Sequence, residues 1–228
     1  MKDSLFNKEY IAPTLTIDMV IFQITNNRLN VLLTKRAQRP FKSTWALPGG
    51  YNAAGQTTLE AADAIMHRKV GLDIHSQLVH IEQLYTFDTV ARDPRGHAVA
   101  VVYSGYGREI ELDSPNQTAQ FFDVSELPKL AFDHAKIIDY ALQRLRNRIG
   151  YTNLAQAFLP KQFTLTSLQD IYQAVLDKPL DKRNFRKRIT SLDMIHDTGR
   201  TTAGRAHRPA KLYAFNSTNI AVVDAERF

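Results

Sequence analysis

One stretch, Gly50 to Leu72, restricts the fold of this chain more than any other. It opens as a glycine-rich loop, Gly50-Tyr51-Asn52-Ala53-Ala54-Gly55-Gln56, directly after Trp45-Ala46-Leu47-Pro48-Gly49. It continues into a helical run from Thr57 to Lys69, and Gly71 suits the C′ position that ends a helix in a left-handed residue. Leu59, Ala62, Ile65, Met66 and Val70 recur at helical spacing, so the helix has one apolar face that must be buried.

The flanking segments supply the surface for that face. Leu15 to Ile24 reads as a strand, Asn26-Asn27 as a turn, and Leu29 to Thr34 as the strand that completes a hairpin. A basic loop, Lys35-Arg36-Ala37-Gln38-Arg39-Pro40-Phe41, leads on to Trp45. Further strands are expected over Leu78–Thr86, Ala98–Tyr103 and Gln120–Val124, with a turn at Arg92-Asp93-Pro94-Arg95-Gly96. A helix from Asp133 to about Arg148 carries Ile137, Ile138, Ala141, Leu142 and Leu145 inward. Strands mixed with two helices predict a layered α+β domain over residues 1–150.

The 228 residues suit two small domains, and 44% hydrophobic content is ample for their cores. Cysteine is absent, which removes disulfides and cysteine-based zinc sites and fits a cytoplasmic protein. No stretch approaches the roughly 18 apolar residues of a membrane span, and the start lacks the pattern of a secretion signal. The net charge of +6 is unevenly spread: residues 1–150 hold 17 Lys+Arg against 16 Asp+Glu, and residues 151–228 hold 12 against 7. A basic third attached to a neutral body suggests an anionic partner, nucleic acid first.

The loop, helix and closing glycine of residues 50–72 resemble the Nudix box of the nucleoside-diphosphate hydrolases. Both box glycines, Gly50 and Gly71, and the final Leu72 fall in register without a gap. The acidic chemistry does not. Gln56 stands at the first glutamate position, Ala64 replaces the arginine, and Ile65, Arg68 and Lys69 replace three helical glutamates. Nudix hydrolysis needs clustered carboxylates for a hard divalent cation. Here an amide, an apolar group and two cations take those places, so neither catalytic residues nor metal ligands nor a cofactor are expected. Glu60 and Asp63 lie earlier in the helix and read as an exposed acidic pair in its first turns. Arg68 and Lys69, with Arg36, could instead hold a diphosphate without cleaving it.

Residues 151–228 have a different character. Leu154–Leu159 is a helical piece stopped by Pro160, and Phe163-Thr164-Leu165 is a short extended link. Thr166-x-x-Gln169 has capping-box spacing and predicts a helix from Thr166 to about Leu176. After Lys178-Pro179-Leu180, Asp181 caps a third helix from Lys182 to Leu192. Phe185, Ile189 and Leu192 form its inner face; Arg183, Lys187 and Thr190 form the opposite face, flanked by Asn184 and Arg186. Arginine and lysine reach phosphates or guanine edges, and asparagine can pair with adenine. Met194–Thr198, a Gly/Arg-rich loop and Ala210–Phe215 look like a basic wing. This arrangement resembles a winged helix-turn-helix domain, whose third helix enters the DNA major groove. Without an aromatic stacking platform for single strands, duplex DNA is the expected partner.

Together the halves resemble the NrtR family, Nudix-related transcriptional regulators of NAD biosynthesis. The resemblance rests on Arg39-Pro40-Phe41, Trp45 to Gly50, Leu84-Tyr85-Thr86-Phe87 and Arg92 to Gly96. In the second half it rests on Phe163-Thr164-Leu165, Leu180 to Arg186, and Arg208 to Tyr213. It implies a Nudix-type α/β/α sandwich followed by a winged helix-turn-helix domain, a homodimeric repressor on a palindromic operator, and ADP-ribose or a related nucleotide as effector. The expected effector-binding residues are Arg36, Trp45, Gln56, Arg68, Lys69 and Phe87. The expected DNA-binding residues are Thr164, Thr166, Lys182, Arg183, Asn184, Arg186, Lys187, Arg205, His207 and Arg208. Two other readings remain open at this stage: an ADP-ribose or nucleoside-diphosphate hydrolase with an accessory nucleic-acid-binding domain, and a nucleotide-binding adaptor whose basic domain contacts protein or RNA.

Overall fold

The computed structural model describes residues 12–113, 118–203 and 209–223. The hairpin forms where expected, from β1 (Thr14–Thr25) and β2 (Arg28–Lys35). Asn26 and Asn27 both take positive φ, 53° and 58°, the left-handed pair that matches a tight turn to the twist of its strands. Strand β1 also pairs in parallel with β6 (Ala98–Tyr106), whose other edge holds β5 (His80–Phe87). Strands β3 (Trp45–Ala46) and β7 (Ala119–Asp123) join β2, and β4 (Gly49–Tyr51) joins β1, giving seven strands among the described residues.

Alternation along β1 separates two layers. Ile17, Met19 and Ile21 pack with α1 (Thr58–Val70), whereas Val20 and Phe22 pack with α3 (His134–Tyr151). Between them Asp18 is buried within the apolar run Ile17–Phe22. The sheet therefore lies between two helices, as the α/β/α sandwich expectation requires.

Helix α1 starts on a capping box missing from the sequence reading. The Thr57 hydroxyl accepts from the Glu60 N–H, and the Glu60 carboxylate accepts from the Thr57 N–H at 2.7 Å. Gly71 closes the helix at φ 65°, and a Cβ there would lie 2.5 Å from the Asp113 side chain. The expected apolar face needs one correction. Leu59 is 39% exposed, in the first turn, where it borders an open groove with Ile74, Leu78, Ile81 and Tyr103; Ala61 takes the buried place. A one-turn helix, α2 (Ile74–Gln77), capped by Asp73, precedes β5 and was not anticipated.

Helix α3 is longer than expected and buries Ile137, Ile138, Ala141, Leu142, Leu145 and Ile149. It leads into the helical piece expected before Pro160, a 3-10 helix over Leu154–Phe158. One continuous apolar core runs from Val20 and Phe22 past α3 to Phe158, Phe163, Leu168, Phe185 and Ile189. The Phe158 ring meets Tyr106 edge-on at 6.1 Å. At the same junction Arg148 pairs with Glu82 of β5, and the Arg146 Nε donates to the Val175 carbonyl at 3.0 Å.

The second half comprises α4 (Leu165–Leu176), α5 (Lys182–Ser191) and the hairpin β8 (Ile195–Thr201) with β9 (Lys211–Phe215). Thr164, not Thr166, caps α4: its side chain accepts from the Ser167 N–H, and the Ser167 hydroxyl bonds the Thr164 N–H at 3.0 Å. The cap falls two residues earlier than expected, and Leu168, Ile171, Tyr172 and Val175 face the core. Gln169 is buried instead and donates to the Leu180 carbonyl at 2.8 Å, pinning the turn into α5. No helix among the described residues is long and apolar enough to cross a membrane.

Candidate ligand pocket and nucleic-acid interface

Strand β4 and the end of α1 meet the start of α3 around a cluster of charges, buried at Asp18 and the Arg92 side chain and open to solvent at Arg68 and Lys69. The Lys69 ammonium donates to the Gly49 carbonyl, and burial pulls its pKa below the ordinary lysine value. Beside it, Asp18 belongs to a network centred on Arg92. The Arg92 Nε and Nη2 donate to the two oxygens of Asp133 at 3.0 and 2.9 Å, and Nη2 lies 3.6 Å from Asp18. Burial pushes the Asp18 carboxyl up to about 6, a rise that Arg92 opposes. His134 is buried too, and burial lowers it to about 3. Its Nδ1 accepts the Leu47 N–H at 2.8 Å, so the neutral ring turns Nε2 toward Asp18 at 3.9 Å.

Two more arginines border this cluster. Arg36 lies over the Phe132 ring at 4.6 Å and donates through Nε to the Pro40 carbonyl. Burial, then the charge of Arg95, depresses its pKa. Arg95 is forked onto Asp93, donates to the Tyr51 hydroxyl at 2.8 Å, and lies 5.7 Å from both the Tyr51 and Phe132 ring centres. Arg68 reaches within 3.8 Å of the position a Cβ on Gly50 would take. Five cations, Arg36, Arg68, Lys69, Arg92 and Arg95, thus face three carboxylates, Asp18, Asp93 and Asp133. A surplus of preorganised donors is an anion site.

The same set does not fit a hard cation. Ile65 is buried in the core, and Arg68 and Lys69 put positive charge where metal ligands would be required. Among the described residues, no three His, Asp or Glu side chains are grouped to hold a metal ion.

Of the expected effector residues, Arg36, Arg68 and Lys69 come together. Gln56 is exposed in the loop, where its carbonyl accepts from the Asn52 side chain at 3.2 Å. The Trp45 ring packs edge-on against Phe122, with Lys35 above it, rather than against the charged cluster. Phe87 forms an aromatic trio with Tyr85 and Tyr140. Asp18, Arg92, Arg95, Asp133 and His134 were missed. Asp18 left a signal as a charge inside an apolar run, and Arg92 and Arg95 belong to a stretch that carries the family resemblance without having been given a site role.

On α5, Phe185 and Ile189 are buried, with Phe185 edge-on to Tyr172 at 5.3 Å. Lys182, Arg183, Asn184, Arg186 and Lys187 are all exposed. Thr190, expected on this outer face, turns its hydroxyl back to the Arg186 and Lys187 carbonyls. Thr166 is exposed in the first turn of α4, whereas the Thr164 hydroxyl is engaged in the cap. Arg200 is exposed on β8, beyond the Gly199 turn at φ 71°. Arg205, His207 and Arg208 lie outside the described residues.

The NrtR DNA-binding winged helix domain matches residues 155–215, and the NUDIX domain matches residues 14–141. The ADPR responsive transcriptional repressor NtrR of Acinetobacter baylyi is 34% identical over 91% of this chain and 84% of its own. The chain belongs to the NrtR family. Its fold agrees with the crystal structure of Shewanella oneidensis NrtR complexed with a 27mer DNA at TM-score 0.74 and 30% identity, over 89% of this chain and 93% of the other. The NUDIX domain of that NrtR complexed with ADP ribose matches at TM-score 0.54 and 27% identity, over 62% of this chain and 95% of the other. This NrtR chain thus combines a Nudix-type sandwich with a winged helix domain.

Proposed function

We propose that this chain is a DNA-binding repressor of NAD metabolism genes whose Nudix half, residues 1–150, senses ADP-ribose without hydrolysing it. Residues 151–228 bind a palindromic operator as half of a homodimer, the symmetry of one matching that of the other. One observation carries the reading: two carboxylate positions of the box are held by Arg68 and Lys69 in a cation-rich cluster and a third by Ile65 in the core, on a chain that also presents a cationic α5. The NrtR relatives with ADP ribose and with DNA support it.

Lys69 is anchored on the Gly49 carbonyl and Arg36 on the Phe132 ring, so both are positioned before a diphosphate arrives. Each charge-assisted bond to a phosphate contributes about 1.5–3 kcal/mol, or roughly 10- to 150-fold in Kd. The effector must bind two conformations of the dimer unequally to alter DNA affinity.

The test is calorimetry with ADP-ribose in the presence of EDTA, paired with a mobility-shift assay on the DNA upstream of the chain's own gene. ADP-ribose should bind without metal and release the DNA. Arg68→Ala with Lys69→Ala should weaken ADP-ribose binding at least tenfold. Unchanged affinity in that variant, or magnesium-dependent turnover of ADP-ribose by the native chain, would overturn the reading.

A further inference from the structure

Arg92 joins the pocket to the helix that leads into the DNA-binding half. Its side chain is only 6% exposed and is shared unequally between two carboxylates. Nε and Nη2 carry both bonds to Asp133, Nη2 also faces Asp18 at the longer distance, and Nη1 takes part in neither pair. Asp133 stands at the N-cap of α3, where a carboxylate ordinarily accepts from the helix's own first N–H groups. It makes no such bond, because both oxygens are turned to Arg92, and its backbone (φ −94°, ψ 16°) is not extended like the caps of α1, α4 and α5. Asp133 thus has two mutually exclusive partners, the guanidinium and the helix end.

The far end of α3 is bound to the second half. The helix is unbroken for 18 residues, Arg146 near its end bonds the last turn of α4, and Ile149 belongs to the shared core. A change at Asp133 therefore moves one end of a stiff element whose other end positions α4 and α5.

We infer that Arg92 is the positioning residue through which the occupied pocket acts on α3. A phosphate oxygen seated by Lys69 and Arg36 takes donors of Arg92, draws the guanidinium from Asp133, and leaves Asp133 to cap α3. The empty pocket holds α3 by the ion pair; the filled pocket releases it into the capped state. This rests on the pocket's being the ADP-ribose site.

The test uses the full chain, ADP-ribose as ligand, and hydrogen exchange of the Ala135 and Lys136 amides, which a cap at Asp133 would bond, beside affinity for the upstream DNA. In the native protein, saturating ADP-ribose should slow exchange in that first turn at least fivefold and weaken DNA binding. Asp133→Ser can cap α3 but cannot pair with Arg92, so it should show the slow exchange and weak DNA binding without ligand. Asp133→Glu, which keeps the carboxylate, should retain a ligand response. Asp133→Ser is paired with Arg92→Lys, which keeps the charge and loses the fork; its ADP-ribose effect on DNA affinity should fall to within about twofold of none. Should Asp133→Ser fail to fold, Arg92→Lys decides alone, and should Arg92→Lys fail, Asp133→Ser does. Native-like ligand responses in the folded variant overturn the inference while leaving the effector site intact. A native chain that binds no ADP-ribose overturns the reading of the site instead.

Discussion

Gly49 and Gly50 stand side by side in β4, and a glycine-rich loop would lead one to treat them alike. Their surroundings predict very different penalties for alanine. A Cβ on Gly49 would lie 2.0 Å from the Asp18 Oδ1 and 2.7 Å from the Ile17 carbonyl oxygen. The second contact is with backbone held by the β1–β4 pairing, Ile17 to Gly50 and Asp18 to Gly49, so it cannot yield locally. The first drives Asp18 away from Arg92. Overpacking costs about 1–3 kcal/mol, and breaking a buried ion pair about 3–5 kcal/mol. Gly49→Ala should therefore cost at least about 3 kcal/mol, or roughly 6–12 °C in Tm for a chain of this size. A Cβ on Gly50 meets the Ile65 side chain at 3.2 and 3.3 Å, which can shift by a few tenths of an ångström, and the end of Arg68 at an ordinary 3.8 Å. Gly50→Ala should stay within about 1 kcal/mol. Urea and thermal unfolding followed by circular dichroism measure both. The double variant with Asp18→Ala should recover part of the Gly49→Ala loss, because the two share one contact. Equal sensitivity at the two glycines, or strict additivity with Asp18→Ala, would refute the account of how Asp18 is packed.

Two further expectations follow from the same structure. Asp18 has a folded-state pKa raised from 3.8 to about 6, so its contribution to stability is lost as pH rises between those values; His134, lowered from 6.5 to about 3, loses its contribution as pH falls. The slopes oppose one another between about pH 4 and 6, so Asp18→Asn should become more acid-sensitive than the native chain, by about 1.4 kcal/mol per pH unit in urea titrations; parallel pH profiles would count against this. On α5, Arg183→Ala or Lys187→Ala should lower duplex-DNA affinity by about 1–3 kcal/mol and leave ADP-ribose binding unchanged, with a salt slope smaller by about one for each lost phosphate contact. Thr190→Val, whose hydroxyl is turned inward, should leave DNA affinity alone in the same fluorescence-anisotropy measurement.

What could be read from the sequence was local. The Asn26-Asn27 turn, the Gly71 helix end and the inner face of α5 each depend on residues a few positions apart, and each formed as expected. The failures also have local causes. Thr166 has capping-box spacing to Gln169, but Gln169 is buried and bonded to the Leu180 carbonyl, and the cap is made by Thr164 with Ser167. Leu59 has the right spacing but sits in a first turn beside an open groove. The pocket was only half legible, since residues 18, 49, 69, 92 and 133 are joined by tertiary pairing and not by spacing. Arg92 and Arg95 sat in a stretch that the sequence marks as a turn and as part of the family resemblance, with nothing in its spacing to pair it with Asp133 or Asp93. The helical periodicity that placed Ile137 and Leu145 says nothing of what Asp133 binds.

The decayed box makes physical sense as a sensor because of where its compensating charges lie. Cations gathered for a phosphate repel one another in the empty state: besides burial, Arg95 lowers the pKa of Arg36, and Arg36 and Arg68 lower that of Lys69. Asp18, Asp93 and Asp133 relieve that repulsion, and each is borne by a different segment: β1, the 88–97 loop and the start of α3. A metal-dependent pocket would carry its positive charge in the ion, and binding a diphosphate would leave the protein's own ion pairs intact. Here the ligand's phosphates compete with those carboxylates for the same donors. Binding then necessarily exchanges intramolecular pairs for ligand pairs, and part of the binding free energy goes into rearranging the segments that held them. That exchange is what a binding site needs in order to favour one conformation over another. On the proposed function, Arg68 and Lys69 at the glutamate positions would both take the place of a hydrolytic centre and couple occupancy to the position of α3.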